Sequence, residues 1–452
     1  KGAWTDYLAR TEPVHTVVRF NGGAQAGHNV VTPDGRHHTF AQFGSGALVR
    51  GVNTHLSRYM LVNPLAMLKE DEALQALGVT DALRRTSIDR RALLTTPFQV
   101  AANRLRELAR GDARHGSCGM GIGETMADWL ALGEAVPMAG DLLDAGTLTR
   151  KLTAVRDFKI AQLGELLASL PDTEPVEEER RILFDPEVIE TCVQVYRHLA
   201  RQVQIEGEDY LAELLQLDGD VVFEGAQGVL LDEWYGFHPY TTWSTTTYQN
   251  ALALLDDAAF DGEVVKVGLL RAYATRHGAG PFVTEDNGLA STFSDAFNVQ
   301  NAWQQSLRVG PLDIVALRYA IEVAGRPDLL AVSHLDQLAR VQEPRMAVAY
   351  RPRTLDLPAA AGQTVAVQDG LITRLRPSPG PEDLEYQARL TDLLSACEPV
   401  YQSAPRDASA FVENVADQLG VPVGLTAFGP THRERAWLTG ALTAGVSLSE
   451  VA

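Results

Sequence analysis

The stretch Val17–Asn29, VVRFNGGAQAGHN, runs from a β-branched, apolar segment into a turn crowded with glycines that ends at a histidine. A buried strand that opens into Gly22, Gly23 and Gly27 can bring backbone N–H groups very close to a ligand, because glycine has no Cβ and tolerates positive φ. The functional reading is a phosphate-binding loop with His28 beside the phosphate. The bland reading is a tight turn followed by a packed histidine, and the segment alone leaves both open.

Working outward, short β-branched runs alternate with longer helical patterns. Strands are predicted at Thr16–Phe20, Asp220–Gly225, Val264–Leu270 and Asp328–Asp336, and helices at Pro97–Gly111 and across Pro186–Leu217. The helix Asp313–Gly325 carries its own punctuation, an aspartate to cap its start and a glycine to stop it. Such alternation predicts an α/β fold built on a large, mainly parallel central sheet flanked by helices. The segment Thr364–Leu375 reads instead as a hairpin turning at Asp369-Gly370. The expected organisation is one domain over residues 1–452, with a mostly helical insertion at 87–217 and a small α/β lobe at 341–421. The glycine-rich HGSCGMGIGE, His115–Glu124, is no dinucleotide fingerprint, since an arginine-rich helix precedes it and its spacing is wrong.

The formal net charge of -19 repels nucleic-acid backbones and anionic lipid, so neither is an expected partner, and any nucleotide must be gripped by local donors. Three widely spaced cysteines offer no zinc pattern and suit a reducing cytoplasm. No apolar run reaches the length of a membrane span. In a parallel sheet, ligands gather at the carboxyl ends of the strands. Four loops follow predicted strands: GGAQAGH, EGAQG (Glu224–Gly228), RHGAGPFVTE (Arg276–Glu285) and SHLD (Ser333–Asp336).

Taken in order, these segments resemble the adenylosuccinate synthetase family. The family's RxxGGxNAGH stands here as RFNGGAQAGH, GTTGRGIGP as GSCGMGIGE, FEGAQGxLLD as FEGAQGVLLD, and YPYVTSSNTT as HPYTTWSTTT. TRVGxGPFPTE stands as TRHGAGPFVTE, TKLD as SHLD, and the closing GP loop as FGP. The resemblance runs from Lys1 to about Arg435. It implies the P-loop-NTPase-like fold of that family, a cytoplasmic homodimer, and a GTP- and Mg²⁺-dependent ligase that joins a purine nucleotide, IMP, to the amino acid aspartate. His28 matches the catalytic histidine, and the Gly27 carbonyl matches a Mg²⁺ ligand. Lys1-Gly2 matches the second half of the family's GDEGKGK loop, making Lys1 the lysine for GTP phosphate and placing the loop's aspartate upstream of the given residues. Asp336, Gly429 and Pro430 match guanine-binding positions. Gln25, Ser117, Cys118, Gln227 and Thr242 fall at positions that contact IMP.

Departures concentrate on the second substrate. Where the family places an arginine cluster for aspartate, this chain has AWQQSLR, Ala302–Arg308, leaving Arg308 as the candidate for the carboxylates. Trp303, Gln304 and Gln305 cannot replace guanidinium forks. Met120 and Leu132 stand at or near further family arginines, and Cys118 and Gln25 replace a threonine and an asparagine. Two alternatives to the family activity therefore arise: a paralogue using another amine or nucleobase, or a nucleotide-binding homologue without catalysis.

Overall fold

The computed structural model describes residues 1–111, 117–293, 307–353 and 364–438. The chain divides into two compact units, one formed mainly by residues 1–227 and the other mainly by residues 261–452.

In the first unit, β1 (Val14–Arg19), β2 (Asn53–Leu56), β3 (Thr86–Asp89), β4 (Gln204–Glu206) and β5 (Asp220–Glu224) form a parallel sheet in the order β4-β3-β2-β1-β5. β1 lies between two neighbours and is buried at nearly every position, as expected for a strand covered on both faces. Helix α1 (Gly2–Thr11) precedes β1. α2 (Pro64–Ala76), α3 (Pro97–Arg110), α4 (Ile122–Leu132), α5 (Ala145–Ser169), α6 (Glu174–Phe184) and α7 (Glu187–Ala200) make up the helical part of this unit. α3 begins with a capping box in which the Thr96 N–H donates to Gln99 Oε1 at 2.7 Å, and Phe98, Ala101, Ala102 and Leu105 form its buried stripe. Leu148, Leu152, Val155 and Leu163 of α5 pack into the same core as Leu56 and Ile88 of the sheet. Lys159 sits in that stripe with no exposed surface, held by Asp128 at 2.6 Å and Glu124 at 2.5 Å. Gly121 explains the glycine-rich HGSCGMGIGE: it has φ +75°, and a Cβ there would lie 2.9 Å from the Val100 nitrogen of α3. These glycines let two helices approach.

The predicted helical stretch after Ala200 proves shorter. Residues 204–206 add β4 to the sheet edge, and only Tyr210–Leu214 are helical beyond it. Three strand residues are too few to show an alternating pattern in sequence.

In the second unit, β6 (Val267–Arg271), β7 (Leu329–Ser333) and β8 (Val423–Ala427) run parallel, and β9 (Arg435–Trp437) adds antiparallel to β8. The parallel order is thus carried by two sheets, one per unit. Helix α8 (Ile314–Ala324) is capped by the Asp313 carboxylate, which accepts from the Ala316 N–H at 3.0 Å, and ends at Gly325 in the left-handed region. Asp313 also accepts from the Tyr350 hydroxyl at 2.7 Å. The predicted hairpin forms as Val365–Gln368 and Leu371–Leu375, with Asp369 and Gly370 both at positive φ. It joins the strands 345–352 and 397–403 in a small mixed sheet within the lobe. α9 (Leu384–Ser395) and α10 (Ala408–Leu419) follow. No helix among the described residues is long and apolar enough to cross a membrane.

His55 of β2 is buried and its Nδ1 lies 2.9 Å from Ser87 Oγ. Burial pushes its pKa down to about 4, against a pull upward from Asp89. The folded state therefore refuses a proton that the unfolded chain accepts, so stability is complete above about pH 6.5 and is lost as pH falls toward 4. His55→Gln should lose about 2 kcal/mol less than the unaltered protein between pH 7 and pH 5, measured by urea unfolding. An unchanged pH slope would show that His55 ionises within the fold.

Candidate active site

The first unit's site begins where β1 and β5 end. Arg19 and Glu224 are register partners on these adjacent strands, and each strand then opens into a loop, Asn21–Gly27 and Gly225–Gly228. Asn21 laces the loops together: its Nδ2 donates to the Ala226 carbonyl at 3.1 Å and to Ser244 Oγ at 3.2 Å, while its Oδ1 accepts from the Ala226 N–H at 2.7 Å. This close approach requires glycine. A Cβ on Gly22, at φ +81°, would meet Ala226 Cβ at 2.8 Å, and one on Gly23 would lie 2.6 Å from the Leu61 carbonyl oxygen. Gly27 differs, for it is exposed and a Cβ there would meet only Thr39 Cγ2, at 3.8 Å. Packing does not demand glycine at that position.

His28 follows and is buried, with Nδ1 at 2.8 Å from Glu224 Oε1. Glu224 also accepts from the Ser45 N–H at 2.9 Å and the Ser45 hydroxyl at 2.6 Å. Desolvation works against its charge, but His28, Arg19 and the Ser45 donors hold the carboxyl well below the usual carboxylate range. Burial lowers His28 to about pKa 4, only partly offset by Glu224. At neutral pH the pair is thus an anionic carboxylate and a neutral imidazole. The carboxylate can only accept, so Nδ1 carries the proton and Nε2 keeps the lone pair. Arg19 is completely buried beside them, donating Nη1 to the Phe43 carbonyl at 2.9 Å, with no hydrogen-bond partner for Nε or Nη2 among the described residues.

Of the predicted residues, Lys1 donates its ammonium to the Gln227 carbonyl. Gln227 is in the left-handed region at φ 56°, and its side-chain Oε1 is buried without a partner among the described residues. Gly2 packs α1 against His28: a Cβ there would lie 2.8 Å from His28 Cβ. Gln25 has both amide atoms buried and without partners among the described residues, and Thr242 is half-buried. Ser117 donates to Asn103 Oδ1 at 2.9 Å, and desolvation raises the thiol of the neighbouring Cys118.

In the second unit, Asp336 follows β7, with Oδ1 buried and unpartnered among the described residues and Oδ2 accepting from Gln337 Nε2. Gly429 and Pro430 follow β8 in a loop fastened by Glu434, whose Oε2 accepts from the Thr431 N–H at 2.8 Å. A Cβ on Gly429 would collide with the Glu434 carboxylate. Arg308 lies on β-paired residues Arg308–Gly310 beside the 276–280 loop. Its guanidinium forms a fork with Glu285, at 2.8 Å for the Nε bond, and donates Nη1 to the Gly278 and Gly280 carbonyls at 3.1 and 2.9 Å. These bonds brace the 276–280 loop. Residues 302–306 of the same segment lie outside the described residues.

Sequence reasoning passed over Glu224, Ser45, Asn21 and Glu285. Glu224 had a signal, as a carboxylate at the end of an apolar strand directly before a glycine loop. Ser45 had none, because it reaches Glu224 from 179 residues away.

Glu224→Gln should cost about 3 kcal/mol or more of stability, because it removes the larger of the two counter-charges of buried Arg19 and leaves only Glu70. His28→Asn, which keeps that pair, should cost clearly less. Urea unfolding of both variants at pH 7 checks the order, and equal losses would mean that Glu224 does not balance Arg19.

The sequence profile of the adenylosuccinate synthetase family matches residues 1–436. Adenylosuccinate synthetase of Mycobacterium leprae is 33% identical over 370 residues, covering 79% of each chain. That of Halothermothrix orenii is 29% identical over 459 residues, covering 96% of this chain and 94% of its own. The solved structure of fully ligated adenylosuccinate synthetase from Plasmodium falciparum superposes with a TM-score of 0.74 at 19% identity, covering 97% of this chain and 96% of that one, which shows the shared fold. By profile, relatives and fold together, this chain belongs to the adenylosuccinate synthetase family.

Proposed function

We propose that this chain is a GTP-dependent ligase of purine nucleotide biosynthesis that forms a C–N bond between IMP and aspartate. The purine N1–H gives up its proton to a general base, and the γ-phosphoryl group of GTP passes to the 6-oxygen with release of GDP. The aspartate amine then attacks C6, phosphate leaves, and the amine gives up a proton. An oxygen at C6 is a poor leaving group until it is phosphorylated, so the two steps belong together. Phosphoryl transfer depends mostly on positioning and charge neutralisation.

The observation that supports this reading best is the buried His28–Glu224 pair beside a glycine loop. Glu224 fixes the imidazole orientation through Nδ1, so Nε2 is the atom left for the migrating phosphoryl oxygen. The anionic carboxylate would favour a proton on Nε2 once phosphoryl charge approaches. Lys1 would neutralise GTP phosphate, and the exposed backbone of Gly27 would allow phosphate to come close. Gln227, Gln25, Thr242, Ser117 and Cys118 are assigned to IMP. Asp336, with Gly429 and Pro430, is assigned to guanine.

Magnesium fits the residues present poorly. Among the described residues no three histidine, cysteine or carboxylate side chains converge on a metal site, and Glu224 is already engaged by His28 and Ser45. The Gly27 carbonyl by itself falls far short of the six-oxygen shell that Mg²⁺ takes. A cytoplasmic homodimer is the assembly assigned by family. Light scattering should return twice the chain mass, and a monomer at all concentrations would reject it.

The reading of a different acceptor gains nothing from Arg308, which is a brace. The segment 294–306 carries no lysine or arginine, so aspartate would be held by neutral donors and its KM should lie in the millimolar range. Steady-state phosphate release with IMP, GTP and aspartate tests the activity, with turnover of about 1 to 10 s⁻¹ expected. Absence of aspartate-dependent turnover would reject it. His28→Asn should lower kcat by roughly 10² to 10⁴ with little change in GTP affinity. Arg308→Met should lower the melting temperature by several degrees through the freed 276–280 loop, on the order of 1 to 2 kcal/mol. A variant of unchanged stability but much higher aspartate KM would return Arg308 to the substrate.

A further inference from the structure

β7 ends at Ser333, and the chain turns at His334 with φ 60° and ψ 31°, a left-handed conformation that residues other than glycine adopt at a cost. The following 3₁₀ turn, Leu335–Arg340, is anchored by buried Leu335 and Leu338, and the Gln337 N–H donates to the His334 carbonyl at 3.1 Å. The His334 ring lies against Tyr273, with centroids 5.5 Å apart, and Tyr273 stacks on Phe293 at 4.1 Å. The turn that carries Asp336 and Gln337 is therefore pinned at both its apolar anchors and its aromatic entry.

Within this turn the two oxygens of Asp336 are unequal. Oδ2 accepts from Gln337 Nε2, while Oδ1 is buried with no hydrogen-bond partner among the described residues. A buried carboxylate oxygen without a donor is costly, and a ligand N–H is a natural means of satisfying it. Guanine offers two adjacent donors, the ring N1–H and the 2-amino group. Hypoxanthine offers the N1–H alone. Adenine has a lone pair at N1, which the carboxylate repels. A paired grip on guanine would use one lone pair from each oxygen, and Gln337 already takes one of the two on Oδ2, which leaves it the weaker acceptor.

We infer that Gln337 sets how the nucleotide base is read: by holding Oδ2 it leaves Oδ1 as the main acceptor, so the site takes 6-oxopurine nucleotides as a class, inosine as well as guanosine. This rests on the assignment of Asp336 to the base of the phosphoryl donor. Gln337 is a positioning residue, acting through Asp336.

Equilibrium binding of GDP, IDP and ADP to the whole protein, by calorimetry, tests it without depending on turnover. The unaltered protein should prefer GDP over IDP by less than about fivefold and over ADP by about 100-fold, the usual contrast between a weak and a lost polar match. Gln337→Leu, with Oδ2 released to the 2-amino group, should raise the GDP-to-IDP preference by about tenfold. Gln337→Met serves the same purpose should the leucine variant fail to fold. A preference for GDP over IDP beyond about 30-fold in the unaltered protein, or a ratio unchanged in a folded variant, would overturn the role of Gln337. ADP binding as tightly as GDP would instead overturn the base assignment of Asp336 and the inference with it.

Discussion

One buried carboxylate organises the first unit. Glu224 sits at the end of the edge strand β5, almost free of solvent, and its charge has to be met from several sides. Arg19 meets it from the neighbouring strand, Ser45 supplies an N–H and a hydroxyl, and His28 supplies Nδ1. Each partner comes from a different part of the chain, so satisfying one charge fixes the positions of the loop after β1, the segment around Ser45 and the hairpin strand that His28 begins. A histidine placed this way is rigid and neutral at pH 7, with one defined tautomer.

The glycines are the steric counterpart of that electrostatic arrangement. Gly22 and Gly23 let the loop lie against Ala226 and Leu61, and Gly2 lets the first turn of α1 reach His28. Asn21 then ties one loop to the next through both of its amide atoms. The glycine-rich segment before α4 shows the contrast: there the same residue type serves helix packing at Val100. Composition does not separate these uses; what lies opposite the missing Cβ does.

This distinction also decides what was legible in the sequence. The alternation of strands and helices, the caps of α8, and the Asp369-Gly370 hairpin follow local rules that act over a few residues, and they appear as predicted. β4 is too short to carry a pattern, and its three residues become a strand only because a sheet edge is available to them. Loops that follow strands were legible, and in each unit they carry residues singled out in the sequence: Gln227, and the loop leading into His28, in the first and Asp336 in the second. Contacts across long sequence separations were not: neither Ser45 meeting Glu224 nor Glu285 meeting Arg308 leaves a local trace. Arg308 shows the consequence. Its residue type matched a substrate-binding role, and only the geometry reveals that Glu285 and two carbonyls already take its donors.

The same geometry bears on how so acidic a chain can handle anionic substrates. With a net charge of -19, affinity for phosphate cannot come from a broad positive field. Several of its cations face inward: Arg19 balances Glu224, Lys159 balances Asp128, and Arg276 is buried against the Ala279 and Tyr240 carbonyls. Burial and the nearby Arg308 lower the pKa of Arg276 to about 10, and it remains charged at neutral pH. These groups are engaged within the fold and hold loops in place. Binding must then draw on short-range directional donors, such as backbone N–H groups bared by glycine. Such contacts lose strength steeply with distance, which is why the close approaches at Gly22 and Gly23 and the fixed turn at Asp336 matter more here than total charge.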